Sequence, residues 1–205
     1  MIKLPFYYPV GFQLALSYDK ESKVTYGLLL RQSDNNIIPP LLRRLDSQKS
    51  HCQQPLLMAV LSIEHVVDFC NERLEECSAN LLRLEPGMGH HEFPSMPRGN
   101  PLELDFLAAT RTLNSITNKV GVDIARLGST LLALDNILAW GKDIEQVNST
   151  ECGFPKGSST GLEWSQVMDE KIAYLADTCR ILLLGAEYLQ KRAQTLIQVV
   201  RLLQI

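Results

Sequence analysis

The sequence predicts a mainly α-helical protein: a long antiparallel three-helix coiled-coil stalk with a small N-terminal β-hairpin. Three observations predict this fold class. The 205 residues include 34 leucines but only 12 glycines and 10 prolines, a balance that favours long helices over a turn-rich β fold. Over three long segments, apolar residues recur at alternating spacings of four and three, as in a helix packed in coiled-coil fashion. Near the N-terminus the apolar period is two, which is typical of a strand.

The hairpin is predicted at residues 12–30, where apolar and polar side chains alternate on both sides of a polar turn at 19–23. Its apolar positions are Phe12, Leu14, Leu16, Tyr18, Val24, Tyr26 and Leu28. A lone hairpin is marginal in water, so we expect it to lie on a helical surface or to be the remnant of a larger sheet. With a short helix after Pro39-Pro40 that ends near Ser50, it makes 1–50 the remnant of an αβ region. We expect residues 51–205 to form the long-helix stalk domain and to pack as one unit with residues 1–50.

The three long helices are predicted at 55–85, 101–146 and 162–205. Pro55 suits a first helical turn, and Asn100 before Pro101 is a good N-cap for the second helix. The stretch 85–101 contains four prolines and three glycines, so it is a loop. A second loop, rich in Ser, Thr and Gly, is expected at 148–161, with Thr160 or Gly161 as the cap of the third helix.

Each helix has a predicted buried row of apolar side chains. In helix one the row is Leu56, Val60, Ile63, Val67, Cys70, Leu74, Cys77, Leu81 and Leu84. In helix two it is Leu113, Val120, Ile124, Leu127, Leu131, Leu134 and Leu138. In helix three it is Ile172, Leu175, Cys179, Leu182, Ala186, Leu189, Ala193, Leu196, Val200 and Leu203. Helix three also has a second apolar stripe off this row, Ile181, Leu184, Tyr188, Val199 and Leu202. Something must cover it: the hairpin could cover its first half, and its C-terminal half is a candidate subunit contact or membrane-proximal end.

Charge, hydropathy and cysteine content together exclude several classes of function. A net charge of −3 removes the strong electrostatic attraction on which nucleic-acid binders depend. No stretch approaches a membrane helix, and the N-terminus lacks the features of a signal peptide. The five cysteines fit no zinc-ligand spacing and favour a reduced, cytoplasmic setting. Only Cys152 is a plausible exposed thiol and no base is placed near it, so we expect no enzymatic activity.

The sequence offers two weak candidates for metal binding. Glu64, Asp68 and Glu72 recur every four residues and place three carboxylates on one helix face, where they could hold Mg²⁺ or Ca²⁺ as hard oxygen ligands. His90 and His91 could bind a metal together with Glu85 or His51. The competing interpretations are a solvated helix face for the carboxylates and a loop that covers a helix end for the histidines. We therefore expect no cofactor, with Mg²⁺ as the one candidate.

Several short motifs resemble the cytosolic region of the fungal branch of the CorA-like divalent-cation transporters, of the CorA/ZntB superfamily. They are Gln54-Pro55-Leu56-Leu57, Leu84-Glu85 followed by Gly87-Met88-Gly89-His90-His91, the Leu104–Phe106 segment, and the stretch from Tyr188 to Leu203. The resemblance implies an N-terminal αβ part followed by long stalk helices, the last of which continues into the membrane. This sequence lacks the two membrane helices and the Gly-Met-Asn signature of that family.

From this departure we expect that the chain does not transport ions by itself, because a pore needs a closed membrane-spanning wall. The expected function is a non-catalytic helical module for oligomerisation or interaction, at the cytosolic face of a membrane if the missing C-terminal segment exists. The alternative is a cation-sensing cytosolic domain of a metal ion transporter. The stripe on the C-terminal helix predicts a homo-oligomer. Lys191, Arg192 and Arg201 mark a subunit contact or a membrane-proximal end, unless they only complement the helix dipole.

Overall fold

The computed structural model describes residues 2–6, 12–19, 21–22, 24–31, 38–48, 54–88, 99–100, 104–151 and 159–203; side chains are described in these ranges except at 2–6, 145, 147–151 and 159–165. Within them the chain is mainly helical, as predicted. The elements are β1 (Ile2–Phe6), β2 (Phe12–Asp19), β3 (Val24–Arg31), α1 (Ile38–Ser47), α2 (Leu57–Leu84), α3 (Phe106–Glu151) and α4 (Ser159–Leu203), with a 3-10 turn at Pro86–Met88 after α2.

The predicted hairpin is confirmed as β2 and β3, and it belongs to a three-stranded antiparallel sheet of order β1-β2-β3. In its turn, the Asp19 carboxylate accepts hydrogen bonds from the backbone amide of Glu21 at 3.1 Å and from the hydroxyl of Ser22 at 2.6 Å. The sequence pattern missed β1, which contains Pro5. Proline cannot donate to a ladder, so a strand that contains it is restricted to the edge of a sheet, and β1 is at that edge.

The chain divides into two compact units, one formed by residues 1–69 and 129–179 and the other by residues 70–128 and 180–205. The first unit contains the sheet, α1 and a segment of each long helix. Its buried side chains include Phe12, Leu14 and Leu16 of β2, Leu41 of α1, Leu61 and Ile63 of α2, Leu134 and Ile137 of α3, and Ile172 and Leu175 of α4. One face of the sheet thus contributes its apolar row to the core of this unit.

The second unit contains the remaining segments of α2, α3 and α4. Arg73 of α2 pairs with Asp123 of α3, and Glu76, one turn further along α2, pairs with Lys119, one turn earlier on α3. This order of contacts is that of two antiparallel helices. The buried apolar side chains of this unit include Leu74, Cys77, Leu81, Leu113, Val120, Leu127, Ala186, Leu189, Ala193 and Leu196.

The buried rows predicted for α2 and α4 are confirmed, apart from the ends of the rows and Leu182. Leu84 and Leu182 are half-buried and Leu203 is exposed. The two rows were found correctly because nearly every position in them is aliphatic.

The row predicted for α3 is wrong in part. The buried row consists of Ala109, Leu113, Ile116, Val120, Asp123, Leu127, Thr130, Leu134 and Ile137, whereas the predicted Ile124, Leu131 and Leu138 are only half-buried. The spacing still alternates between four and three, but two polar residues occupy places in the row. A search for apolar side chains alone moves past Asp123 and Thr130 to their apolar neighbours.

Three helix ends also differ from the predictions. Asp105, not Asn100, caps α3, because its carboxylate accepts a hydrogen bond at 2.9 Å from the backbone amide of Ala108. At its other end α3 continues to Glu151 instead of ending near 146. Helix α4 begins at Ser159, so Thr160 and Gly161 lie inside it. Ser, Thr and Gly lower helix propensity by at most about 1 kcal/mol each, which a long packed helix tolerates.

No helix in the described ranges is long and apolar enough to cross a membrane.

Candidate interaction surface and buried charges

The second apolar stripe of α4 is exposed to solvent. Ile181, Leu184, Tyr188 and Leu202 have between 55% and 71% of their surface accessible, and Val199 is half-buried. These positions lie on one side of the helix: Ile181, Leu184 and Tyr188 are three and four residues apart, and Val199 and Leu202 follow after eleven and three more residues, which again completes whole turns. We call Ile181, Leu184, Tyr188 and Leu202 the α4 face.

The α4 face is separate from the buried row of the same helix segment. That row consists of Ala186, Leu189, Ala193, Leu196 and Val200, all within the core of the second unit. With about 100° of rotation per residue, the centres of the two rows are separated by about 135° around α4. This segment of α4 is therefore apolar on two sides, and the described residues cover only one of them.

Of the three cations predicted to mark the end of α4, Arg192 has a structural role. Its Nε donates to Oε1 of Glu85 at 2.5 Å, and its Nη2 donates to Oε2 at 2.6 Å. Glu85 is buried and directly follows α2, and its own backbone amide donates to the carbonyl of Leu81 at 3.2 Å. Because Arg192 binds a carboxylate of its own chain, its charge is not presented to a partner. Lys191 and Arg201 are exposed, and Arg201 lies in the last turn of α4, where a cation complements the helix dipole.

A cluster of charged groups is buried where α2 and α3 pack in the second unit. The Asp123 side chain is fully buried; its Oδ1 accepts from Nη1 of Arg126 at 2.5 Å, and its Oδ2 lies 3.2 Å from Nε of Arg73. Oδ2 makes no aligned hydrogen bond, so its contact with Arg73 is one of charge only. Burial raises the pKa of Asp123, against the opposing effect of Arg73 and Arg126. The spacing of these residues in the sequence did not predict this cluster.

The three described cysteines, Cys70, Cys77 and Cys179, are free and buried, and their burial was predicted from their places on the helix rows. The Sγ of Cys70 lies 3.9 Å from Oδ1 of Asp123, and burial, together with that carboxylate, raises the pKa of Cys70 to about 11. Burial also raises the pKa of Cys77. Since the thiolate is the reactive form, both are poor nucleophiles at neutral pH. Cys152 and Cys52 lie outside the described residues.

Two of the three carboxylates proposed as metal ligands have cationic partners. Glu64 lies 3.4 Å from Nη1 of Arg44 and 3.1 Å from Nζ of Lys171, and Asp68 accepts a hydrogen bond from Arg44. Glu72 is exposed. In the part of the chain that the structure describes, no group of three or more His, Cys, Asp or Glu side chains is placed to hold a metal ion. His90 and His91 lie outside that part, so the metal site stays a prediction.

Comparison with protein-family models, with curated proteins and with solved structures finds no match to this chain.

Proposed function

We propose that this chain is a non-catalytic helical interaction module that binds a second copy of itself through the α4 face. The supporting observation is the exposure of Ile181, Leu184 and Tyr188 on a side of α4 separate from its buried row. Aliphatic and aromatic side chains so exposed at helical spacing are typical of a surface that another helix covers.

The energy available from covering this face is large enough for association. Burial of each of its four large side chains contributes roughly 1.5–3 kcal/mol. In a contact between two identical faces every residue is buried twice, which doubles the gain. Association costs at least about 4 kcal/mol in lost translational and rotational freedom, and more for the ordering of side chains. A homotypic contact exceeds this cost more easily than a contact in which only one partner is apolar.

The charges beside the face also favour a second copy. Glu187 and Lys191 are exposed and four residues apart, with Lys191 at the edge of the α4 face, seven residues after Leu184 and eleven before Leu202. When two such helices pack antiparallel, the glutamate of one copy approaches the lysine of the other, as flanking charges do in coiled coils. The surface is thus complementary to itself in charge as well as in hydrophobicity.

In this proposal the module is a coiled-coil stalk at the cytosolic face of a membrane, similar to that of the CorA-like transporters. Support comes from the buried rows of α2, α3 and α4, which keep the alternating four-three spacing along each helix, and from the resemblance of the motifs described above.

A cation-sensing role is the alternative, and the structure gives it less support. The carboxylates of Glu64 and Asp68 already contact Arg44, which competes with a cation for the same oxygen atoms. A calorimetric titration with millimolar Mg²⁺ tests this role. Heat of binding together with a raised melting temperature would favour it over the interaction module.

The test of self-association is sedimentation velocity on two matched variants. Leu184→Lys places a charge in the α4 face, whereas Leu132→Lys places the same charge on α3 at a leucine of nearly equal exposure, 66% against 68%. We expect a lower assembly mass for Leu184→Lys and the wild-type mass for Leu132→Lys. Equal masses for Leu184→Lys and the wild type would contradict the proposal.

A further inference from the structure

Strand β3 forms one edge of the sheet and pairs with β2 alone in the described part of the chain. The eight residues of β3 face the eight of β2 in continuous register, from Asp19 opposite Val24 to Phe12 opposite Arg31. The other side of the strand carries the backbone N–H and C=O groups that a further strand would use. An open edge of this length is a template for pairing with another chain.

The outward face of β3 is apolar. Leu14 and Leu16 of β2 are buried, and they stand opposite Leu29 and Gly27, so the odd-numbered positions of β3 point to the same inner side. The even-numbered positions point outward. They are Val24, Tyr26, Leu28 and Leu30, with between 42% and 61% of their surface exposed. Their partners on β2 are Asp19, Ser17, Ala15 and Gln13, which are small or polar and do not cover them.

Within Val24–Arg31, this edge lacks four of the devices that natural proteins use to prevent edge-to-edge pairing. Such devices are an outward lysine, a proline, a bulge or a very short strand. Val24–Arg31 contains neither lysine nor proline, its register with β2 is unbroken, and it is eight residues long. An unprotected apolar edge of this kind is expected where another strand covers it.

We propose that β3 pairs antiparallel with β3 of a second copy of the chain, about a two-fold axis through Gly27, to form one continuous six-stranded sheet. A second copy fits as the occupant because, in antiparallel pairing about Gly27, the four outward apolar side chains of one strand meet the same four of the other. In this register Val24 stands opposite Leu30 of the second copy, and Tyr26 stands opposite its Leu28.

The register follows from two requirements: each outward side chain must stand opposite another outward side chain, and that partner must be apolar. Directly opposed residues share a face of an antiparallel sheet, so an outward residue must meet an outward residue. A shift of the axis from Gly27 to Leu28 would keep that rule but would place Val24 opposite Gln32. The axis at Gly27 sets all four outward side chains of each strand against apolar partners.

This inference does not depend on the α4 face, and a set of four proteins separates the two contacts. They are the wild type, Leu28→Lys, Leu184→Lys and the double variant, each compared by sedimentation velocity. Leu28 is well exposed, so its replacement leaves the core unchanged. If both contacts form, each single variant has a lower mass than the wild type, and only the double variant sediments at 23.0 kDa.

If the β3 contact is wrong, Leu28→Lys has the wild-type mass and Leu184→Lys alone falls to 23.0 kDa. If the α4 contact is wrong, Leu184→Lys has the wild-type mass and Leu28→Lys alone falls to 23.0 kDa. When the β3 contact forms, we expect Leu28→Lys to weaken association by about tenfold or more in the Leu184→Lys background. Circular dichroism and thermal unfolding of each variant show whether the fold is retained.

Disulfide trapping tests the register. Tyr26→Cys and Leu28→Cys proteins, labelled with different tags and mixed under mild oxidation, should form a mixed dimer faster than either protein forms a dimer with itself. Wild-type chain treated in the same way gives the background from the native cysteines. A mixed dimer that forms no faster than this background would overturn the proposed pairing.

Discussion

Arg192 of α4 donates two hydrogen bonds to the carboxylate of Glu85, which lies immediately after α2, at 2.5 Å and 2.6 Å. The two residues are 107 positions apart in the sequence. A two-point contact between guanidinium and carboxylate fixes orientation as well as distance. It therefore fixes the end of α2 relative to α4 within the second unit.

Removal of the guanidinium group should destabilise the chain strongly. We expect Arg192→Ala to lower the free energy of unfolding by about 3–5 kcal/mol, because the carboxylate of Glu85 is left buried without its cation. Arg192→Lys keeps the charge but loses the second hydrogen bond, so its loss should be smaller. Urea unfolding at neutral pH measures both. A value for Arg192→Ala within 0.5 kcal/mol of wild type, the usual range for surface substitutions, would contradict a buried pair.

The buried Asp123 predicts a pH dependence of stability. Burial raises the pKa of this carboxyl above the usual aspartate value of 3.8, so the folded chain holds the proton more tightly than the unfolded chain. The stability that this provides is complete below pH 3.8, and it is lost as the pH rises through the pKa of the folded state. Asparagine does not titrate. The unfolding free energy of Asp123→Asn should therefore rise relative to wild type as the pH is raised from about 4 to 7.

Urea unfolding of both proteins across this pH range measures the difference. Each unit by which the pKa is raised corresponds to about 1.4 kcal/mol of relative stability. If the difference changed in the opposite direction, the attraction of Arg73 and Arg126 for the ionised carboxylate would outweigh the cost of burying it.

Thiol reactivity tests the buried helix rows directly. Cys70, Cys77 and Cys179 are buried, and the chain has five cysteines. We expect no more than two thiols to react with a chromogenic disulfide reagent at neutral pH before the chain unfolds, and all five to react in denaturant. Rapid reaction of a third thiol in the folded chain would contradict the burial of these rows.

The corrected row of α3 is tested by two adjacent residues. Ile137 is fully buried, whereas Leu138, which the sequence pattern placed in the row, is half-buried. We expect Ile137→Ala to cost about 2–5 kcal/mol and Leu138→Ala clearly less. The reverse order in thermal or urea unfolding would restore the row predicted from the sequence.

The buried row of α3 was difficult to predict for a physical reason. Between Leu113 and Val120 the spacing of the predicted row passes through Thr117, which the prediction left out, and the observed row includes Asp123 and Thr130, so polar residues interrupt both rows. Hydrophobic periodicity alone does not choose between such rows. The choice depends on whether a buried carboxylate finds cations, and Arg73, which supplies one of them, is on another helix. In α2 and α4, nearly unbroken aliphatic rows made the prediction straightforward.

Of the candidate functional features, one could be predicted from the sequence and two could not. The α4 face was visible in the sequence because Ile181, Leu184 and Tyr188 repeat at helical spacing off the main row. The open edge of β3 was not, because strand order and register are long-range properties that the alternation of Val24, Tyr26 and Leu28 does not contain. The partner of Arg192 could not be found either, since no local pattern connects it with Glu85.

Self-association through α4 is tested most directly by sedimentation equilibrium of the Leu28→Lys variant, in which the edge of β3 is closed by a charge. The measurement should extend from about 1 μM to a few hundred micromolar, the range in which an interface of modest size is populated. We predict an average mass that rises above 23.0 kDa with concentration and that returns to 23.0 kDa when Leu184→Lys is added. A constant mass of 23.0 kDa across the whole range would contradict the proposed function.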